Sequence, residues 1–215
     1  MRENDSLAQM PATMDFAHAV GFGDGGLTAL LFLQDLGNIS KGMQVLVNGA
    51  SGAVGTYAVQ LAKHFGAQVT AVCGPANLEI VRSLGADRVI DYTSEDFTMS
   101  DHMYDVVFDA VGKSSFARCK RVLKENGGYL TAVPVPGVLL RKLWPFARNG
   151  RQALFMATGL AKPEKRVAGL RLLGELADAG ALQSVVDRVY PLEQIDEALR
   201  YVAAGHKRGN VVVTL

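Results

Sequence analysis

The sequence predicts an α/β fold of the doubly wound kind, a parallel sheet with helices on both faces. Three observations carry this. Strand-like and helix-like segments alternate from residue 44 onward. The strand candidates (V-T-A-V, V-V-F-D, L-T-A-V) are nearly continuous apolar runs, as in strands covered on both faces. Residues 44–55 (Q-V-L-V-N-G-A-S-G-A-V-G) pass from an apolar run into a helical pattern through Gly49, Gly52 and Gly55. A strand that turns on glycines into a helix is the phosphate-binding corner of a Rossmann-type dinucleotide fold.

The elements follow in order. Residues 1–13 read as an irregular lead-in. Residues 16–36 are apolar, with a glycine cluster (Gly21, Gly23, Gly25, Gly26) followed by a helix over 27–36 that Gly37 ends. Strands are expected at 45–48, 68–73, 88–91, 105–109 and 128–133, and helices at 53–65, 76–84 and 116–123. Residues 134–159 break the rhythm with Pro134, Pro136, Pro145 and the single Trp144. Their basic residues (Arg141, Lys142, Arg148, Arg151) read more readily as a solvated face than as an anion site. An edge strand over 152–157 would offer a route to a homodimer. Residues 163–179 form an amphipathic helix with Val167, Leu170, Leu173, Leu176 and Ala177 on one face. A strand at 185–190, a helix over 192–204 closed by Gly205, and a last strand at 211–213 complete the chain.

Composition narrows the class. The 215 residues are 49% hydrophobic and 20% charged, with a formal net charge of +1, which suits one globular domain and gives no footprint for nucleic acid. Cys73 and Cys119 have no ligand spacing and fit a reduced compartment. Residues 1–9 are polar and acidic rather than a signal peptide, and the apolar stretches are interrupted, so a cytoplasmic protein without a membrane span is expected.

The glycine corner assigns the first binding residues. Gly49 allows the tight turn, Gly52 lets a pyrophosphate approach the backbone, and Gly55 lets helix and strand pack closely. The N–H groups of Gly52, Ala53 and Val54 are expected to face the anion, with Ala50 and Ser51 in the same turn. The Ser51 hydroxyl reads equally as a phosphate ligand or a turn residue. At the end of the second strand, V-C-G-P-A-N over 72–77 has no acid for the ribose hydroxyls; the first acid is Glu79, inside the next helix. An uncharged pocket formed by Cys73, Gly74 and Asn77 admits a 2′-phosphate, so NADPH is favoured over NADH. Ala110 and Val111, at the end of the fourth strand, are expected on the adenosine side. Val133 and Pro134, after the fifth, are expected to flank the nicotinamide.

Four strings carry a family resemblance. V-L-V-N-G-A-S-G-A-V-G-T-Y-A-V-Q-L-A-K-H-F-G-A, S-L-G-A-D-R-V-I-D-Y, Y-D-V-V-F-D-A-V-G and the closing H-K-R-G-N-V-V-V, with G-L-T-A-L upstream, resemble the medium-chain dehydrogenase/reductase superfamily, and within it the quinone oxidoreductase (zeta-crystallin-like) branch. The resemblance implies an NADPH-dependent, zinc-independent oxidoreductase that delivers hydride to a quinone or an α,β-unsaturated carbonyl. It implies that Thr28 lies near the nicotinamide, and that Tyr92, Lys207 and Arg208 serve the 2′-phosphate. Family members also carry an N-terminal GroES-like catalytic domain. By that likeness residues 1–25 read as the remnant of an interdomain region, and 26–215 as the dinucleotide-binding domain with a C-terminal return. Where zinc-dependent relatives supply a metal ligand, residues 20–22 read V-G-F.

No catalytic residue is assigned. The histidines (His18, His64, His102, His206) are scattered, and no Ser-His-Asp set or nucleophile elbow is present. A short-chain-type reductase would need Tyr-x-x-x-Lys, and neither Tyr57 nor Tyr129 has the lysine. The alternative is a non-catalytic NADP(H)-binding or dimerisation module.

Overall fold

The computed structural model describes residues 7–133, 150–205 and 207–215. Pro134, Trp144, His206 and the basic residues Arg141, Lys142 and Arg148 lie outside the described residues. The first helix, α1, spans Phe16–Leu36. Asp15 caps it, its carboxylate accepting from the His18 N–H at 2.8 Å. The helix expected at residue 27 therefore begins at Phe16, and the expected domain boundary after residue 25 falls inside it. The glycine cluster is not a separate entry but part of the helix. Cβ atoms on Gly21 and Gly25 would stand 2.5 Å from the Tyr57 hydroxyl and 2.9 Å from the Ala53 carbonyl. Each glycine costs a helix roughly 1 kcal/mol of propensity, and the burial of Leu30, Leu31, Phe32 and Leu33 offsets it. Two π turns, Phe22–Gly26 and Phe32–Leu36, interrupt the α geometry. By length and composition α1 would suit a membrane span, yet its apolar side chains form the core over the sheet.

The remaining elements are β1 (Gln44–Asn48), α2 (Ala53–His64), β2 (Gln68–Cys73), α3 (Leu78–Ser83), β3 (Arg88–Asp91), β4 (Tyr104–Asp109), α4 (Phe116–Cys119), β5 (Leu123–Thr131), β6 (Gln152–Leu154), α5 (Pro163–Asp178), β7 (Val186–Pro191), α6 (Ile195–Ala203) and β8 (Asn210–Thr214). Strands β1 to β6 form one parallel sheet in the order β3-β2-β1-β4-β5-β6. That is the Rossmann order, with its switch point between β1 and β4. β7 and β8 form a separate parallel pair.

Alternate strand residues feed two cores. Val45, Val47, Ala71, Val106 and Phe108 pack with α1, α2, α3 and α5, where the Phe32 and Phe108 rings stack at 5.2 Å. Leu46, Val72, Ile90, Val107 and Tyr129 pack on the other side with Phe97, Phe116, Cys119 and Val122. Among the described residues the second face carries only α4 and a 3₁₀ turn, Phe97–Met99. The helix expected over 116–123 stops at Cys119, and β5 starts early, at Leu123. A register shift lets Tyr104 face Leu123 while Val106 faces Gly128, and Asn126 takes a left-handed φ of 61° to bend the strand. The edge strand expected over 152–157 covers Gln152–Leu154.

Candidate functional site

The glycine corner sits at the carboxyl end of β1, beside the switch point. Gly49 has φ +80°, a left-handed conformation, and a Cβ there would run into Val111 Cγ1. The Gly49 and Ala50 N–H groups both donate to the Val72 carbonyl at 3.0 Å, which ties the turn to β2. A Cβ on Gly55 would strike the Gly49 carbonyl oxygen and lie 2.8 Å from Ala50 Cα. Gly55 is thus fixed by packing. Gly52 is different: a Cβ there meets only the Gly49 oxygen, at an ordinary 3.4 Å. No internal contact requires glycine at this position. The space above Gly52 is open.

Gly52 is the N-cap of α2 and brings no side chain to cap it. The first-turn N–H groups of Ala53 and Val54, expected to face the anion, have no intrahelical partner. The Gly52 N–H, expected to be a third, instead donates to the Gly49 carbonyl at 3.1 Å. The turn consumes that donor to hold its own shape.

Four of the residues expected on the adenosine side lie together. Ser51 Oγ accepts from Asn77 Nδ2 at 3.1 Å, and the Asn77 N–H donates to the Gly74 carbonyl at 3.0 Å. The Tyr92 phenol lies over Gly74, its Oη 3.2 Å from where a Cβ would be. Tyr92 is 58% exposed, so it is no core tyrosine. Cys73 departs from expectation. Its side chain is buried and its thiol is pushed up to about 11, by burial first and the nearby Asp91 carboxylate second. Only its backbone borders the site, through the carbonyl that accepts from the Tyr92 N–H at 3.2 Å.

Beyond the switch point, Ala110 N–H donates to the Asn48 carbonyl at 3.0 Å. Val111 and Val133 are 41% and 37% exposed. Gly112 holds Val133 close, since a Cβ on it would stand 2.9 Å from Val133 Cβ. Thr28, expected near the nicotinamide, lies in the interior of α1. Its hydroxyl is 3.3 Å from that of Thr158. Lys207 and Arg208 reach the corner from the far end of the chain. Gly209 N–H donates to the Ser51 carbonyl at 2.7 Å and bridges Gly52. Lys207 Nζ donates to the Gly209 carbonyl at 2.6 Å, and burial lowers its pKa against the pull of Asp187 and Asp24. That ammonium is committed to the loop. The Arg208 backbone is anchored on Asp187 at 3.0 Å and its side chain is exposed.

One organising residue was not anticipated. Asp109 is fully buried at the end of β4. Its Oδ1 accepts from Asn48 Nδ2 (3.0 Å), Gly112 N–H (2.9 Å) and Val111 N–H (3.3 Å), and its Oδ2 from Ser114 N–H (2.9 Å) and the Tyr129 hydroxyl (2.8 Å). Five donors hold the loop that carries Val111. The available signal was the polar pair Asn48 and Asp109, which face each other in otherwise apolar strands. Tyr57 and Tyr129 are buried and bonded to Ser184 and Asp109, far from a proton-transfer role. Arg151, read as solvated, donates to the Leu123 and Lys124 carbonyls at 2.8 and 3.0 Å.

The zinc-binding dehydrogenase profile matches residues 84–213. The chain belongs to that family. Its relatives place the chain in the quinone oxidoreductase branch of the medium-chain dehydrogenase/reductase superfamily. It is 33% identical to the mouse mitochondrial NAD(P)H oxidoreductase RTN4IP1, over 98% of this chain and 59% of the relative. It is 34% identical to the Arabidopsis thaliana chloroplastic NADPH-dependent alkenal/one oxidoreductase, over 98% of this chain and 50% of the relative. The structure of the quinone oxidoreductase from Coxiella burnetii superposes with a TM-score of 0.85 at 26% identity, over 97% of this chain and 63% of that one. The chain thus spans between half and two thirds of the length of these relatives. The family name implies zinc, but among the described residues no three His, Cys, Asp or Glu side chains gather as ligands. The glycine corner, by contrast, fits a nicotinamide dinucleotide: it has an open cradle and unpartnered donors at a helix N-terminus.

Proposed function

We propose that this chain is the cofactor-binding part of a zinc-independent, NADPH-dependent reductase of quinones or α,β-unsaturated carbonyls. The observation that carries the reading is the open cradle at Gly52, above the Ala53 and Val54 N–H groups at the switch point. When bound, the reduced nicotinamide supplies the hydride. The chain's own residues bind and orient. Ala53 and Val54 hold the pyrophosphate. Ser51, Asn77, Gly74 and Tyr92 border the adenosine ribose, where the absence of a carboxylate admits a 2′-phosphate. Arg208 is the exposed cation for that phosphate, while Lys207 braces the loop. Val111 and Val133 offer aliphatic faces to the bases. The names of the relatives, NAD(P)H and alkenal/one oxidoreductases, support the substrate class.

Titration of the chain with NADPH and with NADH tests this. Selective NADPH binding is expected, and Gly52→Asp should weaken it at least about hundredfold, because a carboxylate in the cradle repels the pyrophosphate. Equal binding of the two cofactors would overturn the NADPH assignment, and binding of neither would overturn the site.

A second reading, a binding or dimerisation module, rests on specific surfaces. β6 has a neighbour on one side only, among the described residues. Leu192, Ile195, Leu199 and Val202 form an exposed stripe at helical spacing, and Phe16, Val20, Val213 and Leu215 line an apolar groove of about 700 Å³. A monomeric mass in solution with no binding of an apolar dye would argue against it.

A further inference from the structure

One amine beside the phosphate corner has a setting unlike the others. Among the described lysines, Lys63, Lys124 and Lys165 are held by the carboxylates of Asp87, Asp105 and Asp35. Lys41, Lys113, Lys120 and Lys162 are exposed. Lys207 is half-buried, and its Nζ donates at 2.6 Å to a neutral acceptor, the Gly209 carbonyl. Burial pushes its pKa down and outweighs the through-space pull of Asp187, on β7, and Asp24, on α1. The loop around it is fixed. The Arg208 N–H donates to Asp187 at 3.0 Å, and the Tyr201 hydroxyl of α6 holds the same carboxylate oxygen at 2.6 Å. Gly209 forms a parallel bridge with Gly52 and donates to the Ser51 carbonyl at 2.7 Å. Its peptide therefore lies against the start of α2, and the amine on its carbonyl stands beside the open cradle.

The chemistry of that amine narrows what it can take. The nucleophile is the neutral form, which burial favours over the ammonium. A neutral amine that gives one N–H to the Gly209 carbonyl turns its lone pair away from that carbonyl. An electrophile that also carries an anion meets both features: the anion enters the cradle and its carbonyl carbon comes to Nζ. A plain aldehyde has nothing for the cradle, and a plain phosphate has nothing for the amine. A small phosphorylated aldehyde, with phosphate and carbonyl a few bonds apart, has both.

We propose that Lys207 is a covalent modification site for small phosphorylated aldehydes, and that its modification closes the phosphate corner to the cofactor. The Nζ lone pair adds to the aldehyde carbon, a C=N bond forms, and the carbonyl oxygen leaves as water with the two amine protons; no electrons are exchanged. The inference rests on the anion corner of the function proposed above. The probe is pyridoxal 5′-phosphate, with pyridoxal, its phosphate-free counterpart, as control. Each is incubated with the full chain, the imine is fixed with borohydride, and the labelled peptides are mapped by mass spectrometry. The phosphate should speed labelling of Lys207 at least about tenfold, the scale of one charge-assisted hydrogen bond, and should not speed labelling of the exposed lysines. NADPH at ten times its Kd should slow labelling of Lys207 about tenfold, because about one site in eleven is then free. Labelled chain should no longer bind NADPH, whereas Lys207→Arg, which keeps the charge and cannot form the imine, should still bind it after the same treatment. Equal rates for the two reagents, labelling spread evenly over the exposed lysines, or no protection by bound NADPH would each overturn the proposal. If NADPH did not bind, yet inorganic pyrophosphate slowed the labelling of Lys207, the cofactor reading would fail while the modification site stood.

Discussion

Gly52 and Gly55 are three residues apart, and the missing methyl matters for opposite reasons. At Gly55 a methyl would collide with backbone; at Gly52 it would stand in the open space that the proposed function gives to the pyrophosphate. Gly55→Ala should therefore destabilise the fold by about 2–3 kcal/mol, the scale of overpacking against atoms that cannot move away. Gly52→Ala should leave the urea midpoint nearly unchanged and weaken NADPH binding. Denaturation and titration of both variants check the pair, and a similar loss of stability in each would show that both glycines serve packing. Spacing assigned the turn to Gly49, the open approach to Gly52 and the close packing to Gly55, but not what stands against each of them. That depends on Val111 and Gly49, brought together only by the sheet. Asp109 was hidden in the same way. Its local sequence, D-A-V-G, looks like a strand end, and its role comes from donors on β1, β5 and the following loop.

Among the elements, β8 has the largest consequence beyond its own pairing. The turn before it carries Gly209, at φ +62°, onto the Ser51 carbonyl, while the Val185 carbonyl and side chain leave no room for a Cβ. Gly209→Ala should lower NADPH affinity and shift the unfolding midpoint together, because the same displacement loosens β8 and the phosphate loop. Loss of stability with unchanged affinity would show that the loop keeps its shape unaided. Strands β1 to β5 were legible, since each centres on an apolar run followed by a helix or turn. The separation of β7 and β8 from that sheet was not. They have the same β-branched composition, and nothing local says which edge they join. α1 was misread at its start for a related reason: four glycines in six residues look like a loop until Tyr57 and Ala53 are seen to need the space.

Over the whole molecule, the sheet divides the core in two, and each half buries one thiol. Burial lifts both Cys73 and Cys119 from their ordinary 9.0 to about 11. Once unfolded, they ionise near 9. The unfolded state therefore loses protons first as pH rises, and stability falls between pH 9 and 11, by about 2–3 kcal/mol per thiol at the upper end. Below pH 9 both states hold the protons and the term vanishes. The buried hydroxyls of Tyr57, Tyr104 and Tyr129 act in the same direction at higher pH. Urea midpoints at pH 8 and pH 10.5 check this: a clear drop is expected, and equal midpoints would mean the thiols are reached by water in the fold. The contact of Gly209 with Ser51 also bears on synthesis. The glycine corner leaves the ribosome well before Gly209, which follows Ser51 by 158 residues. A nascent chain can wind β1 to β6 as they emerge, yet the loop at Ser51 gains its brace only once Gly209 has emerged too.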